Sequence, residues 1–191
     1  TRAEGLNKFM QAYAKLAKLP PPVKQPVELA PLIHRIASLE TRVPVEVVDG
    51  PEVIAQVDGA QIEQLLLNLV KNAAEASPES GSGSRSGLAS ATGVRIGWRR
   101  QPGSLEIYVE DDGPGIANPQ NLFVPFFTTK PSGSGIGLVL CRQIAENHGG
   151  ALTLENRATA NGVAAHDPHL SGMGAPEQRV GGCIARLRLP L

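Results

Sequence analysis

The chain has 191 residues, 41% of them hydrophobic, with 18 basic and 18 acidic side chains and a formal net charge of zero. That length holds one well-packed domain and an appendage rather than two full domains, and the balanced charge gives no field that would draw the chain to nucleic acid or a membrane surface. Cys141 and Cys183 lack CxxC or metal-ligand spacing and read as reduced cytosolic thiols; no apolar run approaches the roughly 20 residues that span a bilayer, and the opening Thr1 follows no signal-peptide pattern and reads as the start of a cut piece.

Leu6, Phe9, Met10, Tyr13 and Leu16 recur at three- and four-residue steps, the apolar stripe of a helix that Pro20, Pro21 and Pro22 end. One short helix cannot bury such a stripe alone, so it calls for partner helices outside this chain or for the surface of the domain that follows. Leu29, Leu32, Ile33 and Ile36 predict a second helix, and residues 43–48 and 53–57 read as short strands. His34 turns about 140° from Leu29, onto the solvated side of that helix. Asp58-Gly-Ala-Gln61 resembles a capping box opening a long helix with Ile62, Leu65, Leu66, Leu69 and Ala73 inward. Asn68 and Asn72 lie together at the edge of that stripe, which points their carboxamides into a cleft.

Residues 79–93 form a Ser/Gly-rich flexible loop. Strands at 94–99 and 105–110 flank a turn at 101–104, and the second runs straight into Asp111-Asp-Gly-Pro-Gly-Ile116. A helix over 135–148 turns Ile136, Leu140 and Ile144 inward and stops at Gly149 and Gly150, and strands at 151–155 and 183–189 close the domain. The intervening 158–180 is aperiodic and reads as a long mobile loop, with His166 and His169 an accidental pair rather than a metal site.

Three strings carry chemistry. Asp111 sits on a rigid strand end beside Gly113 and Gly115, so its carboxylate can accept from the exocyclic amine of adenine while the backbone beyond approaches a flat ligand closely; a bare Asp-Gly turn is the alternative. Gly133-Ser-Gly-Ile-Gly-Leu138 runs into a helix whose unpaired N–H groups favour phosphate oxygens. It fits neither a Walker A loop, lacking Gly-Lys-Ser/Thr, nor a dinucleotide-binding turn, lacking the strand just before it. Asn72 offers an uncharged hard oxygen to Mg²⁺. Together these are the parts that hold a nucleoside triphosphate.

Asn68-Leu-Val-Lys-Asn72-Ala-Ala-Glu-Ala76, Asp111 to Ile116, Leu122-Phe-Val-Pro-Phe-Phe-Thr-Thr-Lys130 and Gly133 to Leu138 resemble, in order, the N, G1, F and G2 boxes of two-component sensor histidine kinases, with a form nearest the nitrogen-regulation subgroup. His148-Gly-Gly150 and the closing Gly181-Gly182 to Leu189-Pro190 fit the same pattern. The resemblance implies the Bergerat (GHKL) fold, an α/β two-layer sandwich with helices on one face of a mixed sheet and ATP under a lid spanning 118–132. It implies that Asn72 ligates Mg²⁺, Asn68 supports metal and phosphates, and Asp111 holds adenine. Gly113, Gly115 and Ile116 would admit the base, and Phe123, Thr128, Thr129 and Lys130 would line the lid, with Lys130 near the phosphates. Gly133, Ser134, Gly135, Ile136, Gly137 and Leu138 would cradle the phosphates. Residues 1–22 would end the second dimerisation helix and its linker, and 23–191 would be the catalytic domain.

By the same resemblance the domain transfers the ATP γ-phosphoryl group to a histidine on its own homodimeric dimerisation domain, for relay to a cognate response regulator, from the cytoplasmic side of a parent protein that an inner membrane could anchor. Two departures stand out. Glu75 replaces the basic residue that many members place three positions after the metal asparagine, and no His-Glu phosphoacceptor pair occurs, which leaves the acceptor on a missing helix. The same fold also serves anti-sigma-type serine kinases and ATPases that carry a catalytic glutamate where this chain has Asn68, and an amide cannot take a proton from water. A non-catalytic interaction module is the remaining reading.

Overall fold

The computed structural model describes residues 19–77, 93–128, 130, 133–158 and 180–191. The expected stripe at Leu6 to Leu16, most of the Ser/Gly loop, Thr129, His166 and His169 lie outside them. The described elements are β1 (Gln25–Glu28), α1 (Leu29–Leu39), β2 (Val45–Val48), β3 (Ile54–Val57), α2 (Gly59–Ala76), β4 (Val94–Gln101), β5 (Ser104–Asp111), α3 (Gly137–Asn147), β6 (Ala151–Ala158) and β7 (Val180–Pro190), with a 3₁₀ turn at Pro119–Asn121. Five strands make one sheet in the order β2-β4-β5-β7-β6. It is mixed, because β2 runs parallel to β4 while the other neighbours are antiparallel. β1 and β3 pair separately, antiparallel.

Period-two alternation sets the two faces of the sheet. Val94, Ile96 and Trp98 of β4 stand opposite Asp111, Val109 and Ile107 of β5 and share one core with Ala185, Leu187, Leu189 and the buried stripes of all three helices. The other face carries a charged layer in place of a second helical one. At its centre Glu106 is 1% exposed, roofed by the side chains of Arg99 (2.7 Å) and Arg188 (3.0 Å). Burial pushes the Glu106 carboxyl up, but the hydrogen bonds and charges of Arg188 and Arg99 outweigh it and hold the group below its ordinary value. The result is the expected two-layer α/β sandwich.

Helix α2 holds to its predicted start, and its cap departs from the expected box. Asp58 Oδ1 accepts from Ala60 N–H and Gln61 N–H, both at 3.1 Å. The reciprocal half is absent, because Gln61 Nε2 donates to the Pro20 carbonyl at 3.0 Å and Asp58 N–H goes instead to His148 Nε2 at 3.0 Å. An amide N–H aimed at Nε2 and the Ile144 carbonyl 2.8 Å from Nδ1 fix the tautomer of the buried His148 as Nδ1–H. Val23 N–H donates to Asp58 Oδ2 and Lys24 Nζ to the His148 carbonyl, which ties the residues after the prolines to the start of α2 and the end of α3.

Other boundaries shift slightly. The strand β1 is absent from the sequence reading, and α3 begins two residues later than expected. His34 is exposed as expected but is paired with Asp49 at 2.8 Å.

His148→Ala should destabilise the domain by at least about 2 kcal/mol, because it opens a cavity and strands the buried Asp58 amide. Urea unfolding followed by circular dichroism measures this, and a loss below about 0.5 kcal/mol would dismiss the joint as incidental.

Candidate functional site

The site is built where the end of β5 meets α2 and the start of α3. Asp111 is buried, and its Oδ1 accepts from Gly113 N–H at 2.9 Å and Cys183 N–H at 3.2 Å. Among the described residues no donor meets Oδ2, so one oxygen is fixed by backbone and the other remains available to a ligand. Burial raises the Asp111 carboxyl above its ordinary value against the pull of those two amides. Burial likewise pushes the Cys141 and Cys183 thiols up to about 12, with the Asp111 charge adding to it at Cys183. Both cysteines are free.

Gly182 is what lets β7 deliver the Cys183 amide. It has φ +96°, and a Cβ there would stand 1.8 Å from the Asp111 carbonyl oxygen, so the two backbones cross with no room for a side chain. The loop after Asp111 is held from β6: Asn156 Oδ1 accepts from Ile116 N–H at 2.6 Å, and Asn156 Nδ2 donates to the Ile116 carbonyl at 3.1 Å. Gly113 packs against the last turn of α2, where an added Cβ would meet the Ala76 carbonyl at 2.6 Å. Gly115, between them, takes a positive φ of 79°.

Asn68 and Asn72 are half-buried on α2, as the edge position predicted. Asn68 Nδ2 donates to the Gly137 carbonyl at 3.4 Å, tying α2 to the start of α3. From Asn68 to Ala76 the helix advances about 12 Å at about 1.5 Å per residue, so Asp111 and the Asn68–Gly137 contact bracket a site long enough for a base and a phosphate chain. Helix α3 begins at Ile136 with no side-chain cap, which leaves its first amides available to an anion. A cleft of about 600 Å³ continues from Asn68 along Leu67, Gln64 and Ala60, lined on the other side by Ser134, Ile136 and Gly137. It runs towards the start of α2, and Asp111 is not among its lining residues.

The Phe-rich segment lies on the start of α3. Phe126 N–H donates to the Gly135 carbonyl at 2.9 Å, and Phe126 itself has φ +66°. Gly135 mirrors it with φ +66°, and its missing Cβ would fall 2.5 Å from the Phe126 carbonyl carbon. Phe123 packs on the core with the Arg142 guanidinium 5.1 Å from its ring. Ile136 is buried and Leu138 is half-buried, packed like Phe123 on the same core, whereas Thr128, Gly133 and Ser134 are exposed. Thr128 Oγ1 accepts from Lys130 N–H at 3.1 Å, and Gly133 N–H donates to the Lys130 carbonyl at 3.1 Å. Lys130 Nζ reaches α2, where it donates to Asn72 Oδ1 at 3.4 Å and to the Glu75 carboxylate. Burial raises the Glu75 carboxyl, but the Lys130 hydrogen bond and the Lys130, Lys71 and Arg42 charges prevail and lower it.

Direct contacts join Asn68 to Gly137 and Lys130 to Asn72, and Gly113 meets the last turn of α2, whereas Ile116 contacts Asn156 and Phe123 contacts Arg142; Thr129 lies outside the described set. Sequence reasoning missed Asn156, Cys183 and the role of Gly182, because their partners lie 40 to 72 residues away and no local pattern marks such crossings.

The fold is an α/β sandwich that places a buried acid at the end of β5 and an uncapped helix start at α3. The chain belongs to the histidine kinase-, DNA gyrase B-, and HSP90-like ATPase family, whose model matches residues 57–191, and ATP is accordingly the nucleotide of this domain. It is 38% identical over 135 residues to the sensory histidine kinase/phosphatase NtrB of Azospirillum brasilense, covering 65% of this chain and 34% of that protein. It is 35% identical over 164 residues to the sensor histidine kinase TmoS of Ectopseudomonas mendocina, covering 81% and 16%. The chain thus spans about a third or less of the length of these curated relatives. Among solved structures it is similar to the catalytic domain of the histidine kinase ThkA (TM-score 0.62, 26% identity, 87% and 95% covered). It is also similar to the mycobacterial sensor histidine kinase MprB (TM-score 0.58, 27% identity, 88% and 97% covered).

Gly182→Ala should force the β7 and β5 backbones apart and cost more than about 2 kcal/mol of stability. Chemical unfolding of the parent and variant decides it, and equal midpoints would show that the crossing relaxes freely.

Proposed function

We propose that this chain is the ATP-binding catalytic domain of a sensor histidine kinase, transferring the γ-phosphoryl group of ATP to a histidine on a dimerisation domain for relay to a response regulator aspartate. The observation that carries the reading is the division of labour at Asp111, whose Oδ1 is locked by two backbone amides while Oδ2 meets no donor among the described residues. A carboxylate so held accepts from the exocyclic amine of adenine and repels the carbonyl that guanine offers there. The uncapped start of α3, with Gly133, Gly135 and Gly137 before it, receives the phosphates. Asn72 Oδ1 suits Mg²⁺, since it already attracts a cation in the form of the Lys130 ammonium. The metal, when bound, neutralises the triphosphate charge.

Phosphoryl transfer of this kind depends on positioning and charge, so the chain's own residues orient the nucleotide and exclude water, and the attacking nitrogen comes from elsewhere. Neither described histidine suits that role. His148 is buried with both ring nitrogens engaged, and His34 is paired with Asp49 far along the chain from the site residues. Residues 1–22 are assigned to the end of a dimerisation helix and its linker, and 23–191 to the catalytic domain. A response regulator as partner fits the histidine kinase ThkA, which was solved in complex with the response regulator TrrA. Among the described residues no helix is long and apolar enough to cross a membrane, and attachment of the parent protein to a membrane would lie outside them.

Asp111→Asn should weaken ATP binding at least tenfold, about 1.4 kcal/mol, through loss of a charged hydrogen bond in a buried place. Calorimetry on folded parent and variant checks this, with GTP binding poorly to the parent, and equal ATP affinities would remove Asp111 from the adenine site.

Asn72→Ala should abolish the strengthening of triphosphate binding by Mg²⁺ and leave metal-free ADP nearly unaffected. Titrations with and without Mg²⁺ test it, and an unchanged metal dependence would pass the ligand role to Asn68. With γ-labelled ATP, acid-labile label should appear on an added dimerisation-helix fragment and not on this chain.

A further inference from the structure

The ammonium of Lys130 stands where the site would take its metal. Asn72 and Glu75 lie three residues apart on α2, and the lysine meets both, at the Asn72 carboxamide oxygen and at the Glu75 carboxylate. Mg²⁺ and an ammonium seek the same hard oxygens, so a metal about 2.1 Å from Asn72 Oδ1 would compete with Nζ for that oxygen and repel its charge. We propose that Lys130 is a tethered stand-in cation. In the nucleotide-free protein Glu75 holds it on the metal position, and incoming metal and nucleotide must displace it, so that Glu75 sets how readily the Phe-rich segment lets go of α2. The inference rests on the ATP and Mg²⁺ reading above and adds the residue that regulates entry.

Three features support an exchange rather than an incidental surface pair. Glu75 has other cations in place: Lys71 at 4.0 Å and Arg42 at 3.7 Å, the latter anchored to Glu40 by bonds of 2.9 and 2.6 Å. When Lys130 leaves, these two keep the carboxylate neutralised, so it does not confront the phosphates bare. The lysine is also wired to its own segment at both ends, through its N–H to Thr128 Oγ1 and its carbonyl to Gly133 N–H. Holding the ammonium on α2 therefore also tethers Thr128 and Gly133 to that helix. Finally, Asn72 and Glu75 share one helix while Lys130 comes from a segment 55 residues on, so the helix supplies the oxygens and that segment the cation.

An exposed pair of this kind shifts an equilibrium by up to about fivefold, which sets the scale of the test. The 191-residue chain, E75Q, K130M and the double variant E75Q/K130M are compared by two measurements. In the nucleotide-free proteins, hydrogen exchange of the peptide from Leu122 to Thr128 should speed up about two- to fivefold in each single variant, and no further in the double. By calorimetry with a non-hydrolysable ATP analogue and Mg²⁺, E75Q should bind about two- to fivefold more tightly than the parent. Less than half of that gain should survive in the K130M background. Weaker binding by E75Q would overturn the proposal, since Glu75 would then be steadying Lys130 on bound phosphates. So would an equal gain in both backgrounds, which would mean simple charge repulsion, or unchanged exchange in E75Q. A parent that bound no analogue would strike the ATP reading instead, and the exchange measurement would still decide the Lys130 contact.

Discussion

Everything at this site depends on α2 being held at both ends by groups that are not its own. Its first amides are capped by Asp58, which is in turn fixed through its backbone N–H to His148 and through its second oxygen to Val23. At the far end Gly113 presses on the Ala76 carbonyl with no side chain between them. A helix clamped in this way can keep two carboxamides half-buried at its edge, where they would otherwise add little to folding. The apolar stripe supplies the burial and the end contacts set where along the axis Asn68 and Asn72 come to rest.

The same logic explains why the acid at Asp111 is dependable. A carboxylate on a loop would wander among rotamers, whereas here one oxygen is pinned by amides from two different strands' ends and only the other can answer a ligand. Burial at this place works against the charge and raises the carboxyl, with the two amides and the Arg157 charge opposing that rise only in part. Under the proposed function, recognition of a base would need no movement of the acid, and discrimination would follow from which atom the ligand presents.

Much of this architecture was legible in the sequence, for local reasons. The long amphipathic run of α2, the alternation of β4 and β5 around their turn, and the glycines closing α3 each declare themselves within a window of a dozen residues. What escaped notice was non-local. Strand β1 has four residues, one of them proline, and shows no alternation to read. The expected capping box was half right: Gln61 had the correct spacing, but a carbonyl 41 positions away competed for its amide. His148 looked like a helix end beside two glycines, and its partner lies 90 residues earlier. Asn156 and Cys183 likewise act on residues 40 and 72 positions away. Glu75 stood out as a departure from pattern, but only the geometry supplies its counterpart in Lys130, 55 residues on.

The place of β7 in the sheet has a kinetic side. It is the last of the described strands in chain order, yet it lies between β5 and β6, pairing Leu105 with Leu189 and Leu152 with Leu187. Until it arrives, β5 and β6 each present an unpaired edge and the inner face is incomplete, so the nascent chain must wait with apolar surface uncovered. Contacts of such long sequence separation form slowly. Since Gly182 and Cys183 ride on this strand, Asp111 Oδ1 gains its second backbone amide only once β7 has joined the sheet, and until then the carboxylate is held by Gly113 alone.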